Sequence, residues 1–93
     1  MAVTADKAMQ TIQDVYKVVS TADGYLSDWE IYKRVAHTDK MNLSLDYAIM
    51  AACKYFKECG VFDKHDAPTG NYFLGGIPET IPCYAMRGTK WVD

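Results

Sequence analysis

The sequence predicts an α+β domain in which three helices come first and a β-hairpin follows. Three runs carry apolar residues at the three-and-four spacing of a helix, and capping or turn residues bound them. The last third of the chain is β-prone and is punctuated by glycine and proline. With 93 residues, the chain has the length of one domain, so we expect residues 1–93 to form a single unit.

The first helix is expected in the run ADKAMQTIQDVYKVVST, with Thr4 as its N-cap. Its apolar residues recur at helical spacing: Ala8, Ile12, Val15, Tyr16 and Val19. The segment TADG breaks this helix, and the following GYL is long enough for only a very short strand. Ser27 and Glu30 then match a capping box, which predicts a second helix through DWEIYKRVAH.

The third helix is expected in LSLDYAIMAACKYFKECGVF, residues 43–62, with Asn42 or Ser44 as its cap and Gly60 at its end. Its apolar stripe is predicted to face inward and consists of Leu45, Ala48, Ile49, Ala52, Phe56 and Cys59. The opposite side is predicted to be exposed and carries Tyr47, Met50, Ala51 and Lys54.

A β-hairpin is predicted after the helices. Its strands are NYFL and CYAMR, and the segment GGIPETIP forms a long tip that exposes Ile77 and Ile81. The preceding DKHDAPTG is interpreted as a loop because it contains Pro68 and Gly70. Trp91 is expected to fold back over apolar surface.

The order of these elements resembles that of the winged helix-turn-helix superfamily. The resemblance is carried by DGYLSDWEIYKRV, LSLDYAIMAACKYFKECGVF and NYFLGGIPETIPCYAMRG, and it covers about residues 5–88. It implies a small winged-helix domain whose C-terminal hairpin is the wing. It also implies that the third helix enters the major groove of double-stranded DNA and that its N-terminal residues meet base edges.

The implied function is a small, non-enzymatic DNA-binding protein that regulates transcription. The residues expected to face the groove or a nearby phosphate are Asn42, Ser44, Tyr47, Met50 and Lys54. The cations expected to form a phosphate-facing strip around the turn and after the hairpin are Lys33, Arg34, Lys40, Arg87 and Lys90. The same cations can instead be ordinary solvated charges on the surface.

Charge and side-chain chemistry favour an alternative function. The net charge is −2, the predicted wing tip carries Glu79 and no cation, and the exposed side of the third helix lacks arginine. These features suit a protein-binding winged-helix module, for example a phage-encoded inhibitor or adaptor, that docks through Tyr47 and Met50. A third interpretation is that both side chains pack under the C-terminal segment with Trp91.

The positions of the cations are expected to discriminate between the two functions. DNA is favoured if one face collects Lys33, Arg34, Lys40, Lys54 and Arg87. A protein partner is favoured if acids are interspersed among them, such as Asp39, Asp46 and Glu58.

The remaining chemistry of the sequence predicts no catalysis. The three cysteines, Cys53, Cys59 and Cys83, lack the close spacing of a zinc knuckle, and burial on the third helix would suppress thiol reactivity. His37 and His65 belong to no catalytic motif. We therefore expect no metal, cofactor or small-molecule substrate. No apolar leader or membrane span is visible, so a soluble cytoplasmic protein is expected, with a monomer favoured.

Overall fold

The computed structural model describes residues 5–92 and confirms the α+β class. Three helices pack with a three-stranded antiparallel sheet, whose strand order is β1-β3-β2. Strands β2 and β3 form a long two-stranded ribbon, and the much shorter β1 pairs beside the base of β3. The elements are α1 (Ala5–Ser20), β1 (Leu26–Ser27), α2 (Asp28–Ala36), α3 (Leu43–Glu58), β2 (Phe62–Tyr72) and β3 (Pro78–Met86).

The hydrophobic core lies where the three helices meet the base of the ribbon. Each helix contributes residues that helical spacing places on one face, because side chains three or four positions apart project in the same direction. The sheet closes the core from the other side. The buried core residues are Val15, Val19, Leu26, Ile31, Tyr32, Ile49, Ala52, Cys53, Phe62 and Tyr84.

Local capping explains where the helices begin. The Ser27 hydroxyl accepts a hydrogen bond from the Glu30 amide at 3.2 Å, as the Ser-x-x-Glu pattern predicts. Of the two caps proposed for α3, the structure uses Asn42, whose Oδ1 accepts from the Leu45 amide at 3.1 Å. The predicted cap Thr4 lies outside the described residues.

The turn between α2 and α3 is fixed by the buried side chain of Tyr32. Its hydroxyl donates to the Lys40 carbonyl oxygen at 2.6 Å and accepts from the Asn42 amide at 2.7 Å. Both bonds join backbone groups just before α3. The orientation of α3 on the core is therefore tied to a residue of α2.

The prediction that DKHDAPTG forms a loop is wrong, because these residues lie in β2. Burial along β2 alternates from Asp63 to Ala67: Asp63, His65 and Ala67 are partly buried, whereas Lys64 and Asp66 on the other side are exposed. Pro68 is tolerated because β2 is an edge strand. Pro82 lies in β3 next to the two residues that pair with β1. Pro82 itself pairs only with Asp66 of β2.

The extent of the hairpin tip also differs from the prediction. NYFL was predicted as a strand and GGIPETIP as the tip, but β2 ends at Tyr72 and β3 begins at Pro78, so only a short turn lies between the strands. The Phe73 amide donates to the Ile77 carbonyl oxygen at 2.7 Å and closes this turn. Ile81, expected at the tip, is partly buried in β3 opposite Ala67.

Cys59 is the other correction to the predicted core. It was assigned to the inward stripe of α3, but it is exposed because it is the C-cap residue after the last helical position, Glu58. Cys53 is buried in the helix instead. Gly60 follows with a φ of 76°, the left-handed conformation expected at the end of a helix.

The C-terminal segment folds back onto the sheet, as predicted. The ring of Trp91 stacks on His65 with centroids 3.9 Å apart and meets the edge of Tyr25 at 5.2 Å. The Tyr25 hydroxyl donates to the Thr89 carbonyl oxygen at 3.1 Å. The ring partners of Trp91 are therefore Tyr25 and His65, and neither residue belongs to α3.

Candidate interaction surface

The outer face of α3, defined here as Leu43, Tyr47 and Met50, is exposed and apolar. The spacing of four and three residues places these side chains along one side of the helix. Their exposed fractions are 61%, 66% and 46%. The interpretation that Tyr47 and Met50 pack under the C-terminal segment is therefore wrong, since Trp91 packs on Tyr25 and His65.

The polar residues at the start of α3 are only partly available for a ligand. Asn42 uses its side-chain oxygen to cap the helix, so that atom is engaged within the chain. Ser44 is exposed in the first turn of α3. Lys40 is exposed as well, while its backbone carbonyl is held by Tyr32.

The cations of the predicted strip have different local surroundings. Lys33 forms an ion pair with Glu30 at 2.8 Å on α2. Arg34 lines a small cavity against α1 together with Asp14. Arg87 is exposed, and its guanidinium lies beside Gly60 at the end of α3, 3.6 Å from where a Cβ would stand. Lys90 is exposed in the C-terminal segment.

A groove of about 510 Å³ runs between α3 and the ribbon, and we call it the α3–ribbon groove. Its apolar wall includes Met50 and Ala51 from α3 and Pro82 and Tyr84 from β3. Ile49 and Cys53 form its floor and are almost fully buried. The charged residues that line it are Lys54, Lys57, Lys64, Asp28 and Glu58.

Sequence reasoning found only part of this groove. Met50 and Lys54 were predicted to be exposed, but Lys57 and Lys64 were not considered. Lys64 was missed because its segment was interpreted as a loop. Four consecutive polar residues, 63–66, hide the strand in the sequence, and only antiparallel pairing with Tyr84 of β3 carries Lys64 to the groove.

The end of the ribbon is a second exposed apolar region, which we call the ribbon tip. It consists of Tyr72, Phe73, Leu74 and Ile77, with exposed fractions of 70%, 60%, 98% and 61%. None of these side chains carries a charge. Its chemistry therefore differs from the basic tip expected of a wing that contacts phosphates.

Two of the cysteine thiols are buried and resist ionisation. Burial, followed by the negative charge of Asp28, raises the pKa of Cys53 to about 12. Burial is also the main cause that raises the pKa of Cys83. The thiolate is the reactive form, so both groups are poor nucleophiles near neutral pH. Within residues 5–92, no group of three or more His, Cys, Asp or Glu side chains is arranged to hold a metal ion.

Comparison with known proteins identifies no family for this chain. No family model, curated protein or solved structure matches it. Among the helices of residues 5–92, none has the length and apolar character needed to cross a membrane.

Proposed function

We propose that this protein is a non-enzymatic winged-helix module that binds another protein through the outer face of α3. The observation that carries the proposal is the exposure of Leu43, Tyr47 and Met50 along one side of a helix. The cores of protein interfaces are enriched in tyrosine and methionine and depleted of charge. Burying these side chains against a partner removes apolar surface from water, which favours association.

The distribution of charge supports a protein partner over DNA. Acids are interspersed among the cations, since Lys33 pairs with Glu30 at 2.8 Å and Lys54 lies 4.0 Å from Glu58. Lys64 on the ribbon similarly lies 3.5 Å from Asp66. Each acid weakens the positive field that attracts a phosphate backbone. This arrangement, with the net charge of −2, meets the criterion that favours protein binding.

The winged-helix part of the proposal is supported by the order of the elements. Two helices precede the exposed helix α3, a short strand lies between α1 and α2, and a two-stranded ribbon follows in the position of a wing. The outer face of α3 occupies the position at which a helix-turn-helix protein would read DNA. In our proposal the same position presents an apolar surface to a protein.

A capture experiment with matched variants tests this function. The tagged wild type is compared with Tyr47→Ala/Met50→Ala in extracts of the source cells or their host. The control is Met9→Ala/Tyr16→Ala, which removes the same two residue types from exposed positions on α1. We expect the α3 variant to lose the partner and the α1 variant to retain it, as measured by quantitative mass spectrometry. Equal capture by all three proteins would contradict the proposal.

DNA-binding transcription regulation is the second candidate function, and one observation favours it. Lys54, Lys57 and Lys64 line the same groove beside the exposed helix, so they can act together on a phosphate. Titration of a labelled random duplex provides the test. A DNA-binding protein is expected to bind at low salt and to weaken steeply as salt rises. If no complex forms at low salt, this candidate is removed.

A further inference from the structure

We propose that the α3–ribbon groove binds a short segment of the partner that combines carboxylates with a large apolar side chain. This inference rests on the proposed function, since the groove adjoins the outer face of α3 through Met50. It adds the chemistry of the partner, which the outer face alone does not specify.

The dimensions of the groove suit a short peptide segment. Its α3 wall extends from Ile49 to Glu58, which corresponds to about 13 Å at the ~1.5 Å rise of a helix. An extended chain advances ~3.3 Å per residue, so about four residues span this length. The groove is open to solvent along α3, where Met50, Ala51 and Lys54 are exposed.

The apolar wall accounts for the large apolar side chain. Met50 is 46% exposed and Pro82 is partly exposed, while the floor residues Ile49 and Cys53 are sealed beneath them. An aromatic or leucine side chain laid against this wall removes apolar surface of both partners from water.

Three lysines of the groove are the reason to expect carboxylates in the bound segment. Lys54 and Lys57 lie on the α3 wall, and Lys64 lies on the ribbon wall. Within residues 5–92, Lys57 forms no ion pair. Lys54 lies 4.0 Å from Glu58 and Lys64 lies 3.5 Å from Asp66, but both pairs are exposed and hold these two lysines weakly. A carboxylate in the groove therefore meets amines from both walls.

The two acids in the groove restrict the pattern of the segment. Asp28 lines the apolar side of the groove. Burial is the main cause that raises the pKa of Cys53 and of Tyr84, and the charge of Asp28 raises both pKa values further. Glu58 lies at the C-terminal end of α3. A segment with carboxylates throughout would be repelled by these acids, so carboxylates near the lysines and an apolar residue near Tyr84 form the complementary pattern.

Selection from a random library tests this inference without knowledge of the natural partner. A phage-displayed library of random peptides is selected on the immobilised full chain. We expect enriched peptides to contain Asp or Glu together with Leu, Phe or Trp. Backbone amide NMR shifts on adding a selected peptide are expected to include Lys57 and Lys64. Peptides without acidic enrichment, or shifts confined to other surfaces, overturn the inference.

Charge reversal tests the role of the lysines. The variant Lys57→Glu/Lys64→Glu is expected to bind a selected peptide about fivefold or more weakly by fluorescence anisotropy, since two attractions become repulsions. The control Lys17→Glu/Lys90→Glu has the same net charge but changes exposed residues outside the groove. We expect it to bind within twofold of wild type. Equal losses in the two variants would show a long-range charge effect and overturn the inference.

Two further measurements keep the result interpretable. Circular dichroism checks that each variant is folded, and Lys57→Gln/Lys64→Gln replaces the reversal if it is not. Tyr47→Ala separates this inference from the proposed function. If the natural partner requires Tyr47 but binds the Lys57/Lys64 variant like wild type, the groove inference fails while the proposed function stands. If Tyr47 is dispensable, the proposed function itself fails.

Discussion

Individual residues fix features that the sequence pattern leaves open. Tyr32 appears in the sequence as one more apolar position of α2, yet the structure shows that its hydroxyl joins two backbone groups of the α2–α3 turn. The burial of Cys53 was expected from its place on or beside the apolar stripe of α3, and the structure confirms it. The role of Tyr32 depends on contacts beyond the range of helical spacing, so composition and spacing alone do not reveal it.

Replacing Tyr32 with phenylalanine is expected to destabilise the protein. The change removes both hydrogen bonds of the hydroxyl and leaves the Lys40 carbonyl and the Asn42 amide without this partner. We expect the free energy of unfolding to fall by about 1–2 kcal/mol, measured by urea denaturation. Tyr47→Phe, at an exposed position, is the control and is expected to have no measurable effect. Identical midpoints for the two variants would contradict this role of Tyr32.

Cys53 is expected to make the protein less stable at alkaline pH. Its folded-state pKa is raised from 9.0 to about 12, so between these values the unfolded chain releases a proton that the native state retains. The stability linked to the protonated Cys53 thiol is fully present below pH 9 and is lost as the pH rises toward 12. Between pH 8 and 10 we expect wild type to lose about 1 kcal/mol more unfolding free energy than Cys53→Ala. Parallel pH dependences in urea denaturation would argue against this linkage.

At the scale of elements, helices were easier to predict than strands. Helix α3 and its cap follow from local information: the three-and-four spacing, Asn42 before the helix and Gly60 after it. Strand β2 depends on pairing with β3, a distant segment, which overrides the loop-forming tendencies of Pro68 and Gly70. The same difference applies to the candidate surface: the exposure of Met50 and Lys54 on α3 was predicted, whereas Lys64 on β2 was missed.

Gly60 is expected to be needed for the end of α3. Its φ of 76° is unfavourable for any residue with a Cβ, whereas the nearest side-chain atom, on Arg87, lies at an ordinary contact distance of 3.6 Å from a Cβ placed there. Because of this φ, Gly60→Ala should lower the free energy of unfolding by about 1–2 kcal/mol. Gly24→Ala is the matched control, since Gly24 has no positive φ and no neighbouring atom within 4 Å. A smaller loss for Gly60→Ala than for Gly24→Ala in thermal denaturation would disprove the expectation.

At the scale of the whole molecule, the buried core and the exposed apolar surfaces lie in different regions. The core joins the helices to the base of the ribbon, where Phe62 is 1% exposed. The ribbon tip and the outer face of α3 lie outside this core and remain exposed. Substitutions on the exposed apolar surfaces are therefore expected to leave the fold intact.

Two phenylalanines are expected to show this separation. Phe62→Ala leaves a cavity in the core and should cost about 3–5 kcal/mol of unfolding free energy. Phe73→Ala makes the same chemical change at the ribbon tip, where the side chain is 60% exposed, and should stay within about 0.5 kcal/mol of wild type. Chemical denaturation of both variants provides the comparison. A large loss for Phe73→Ala would show that the tip packs into the folded unit.

The sequence by itself determined the three helices and most of the buried face of α3. These features follow from helical periodicity and capping, which act over a few neighbouring residues. Only the tertiary structure decided the length of β2, the exposure of Tyr47 and Met50 and the groove that gathers Lys54, Lys57 and Lys64. These features depend on which distant segments pair and pack, and long-range pairing is not encoded in any single stretch of residues.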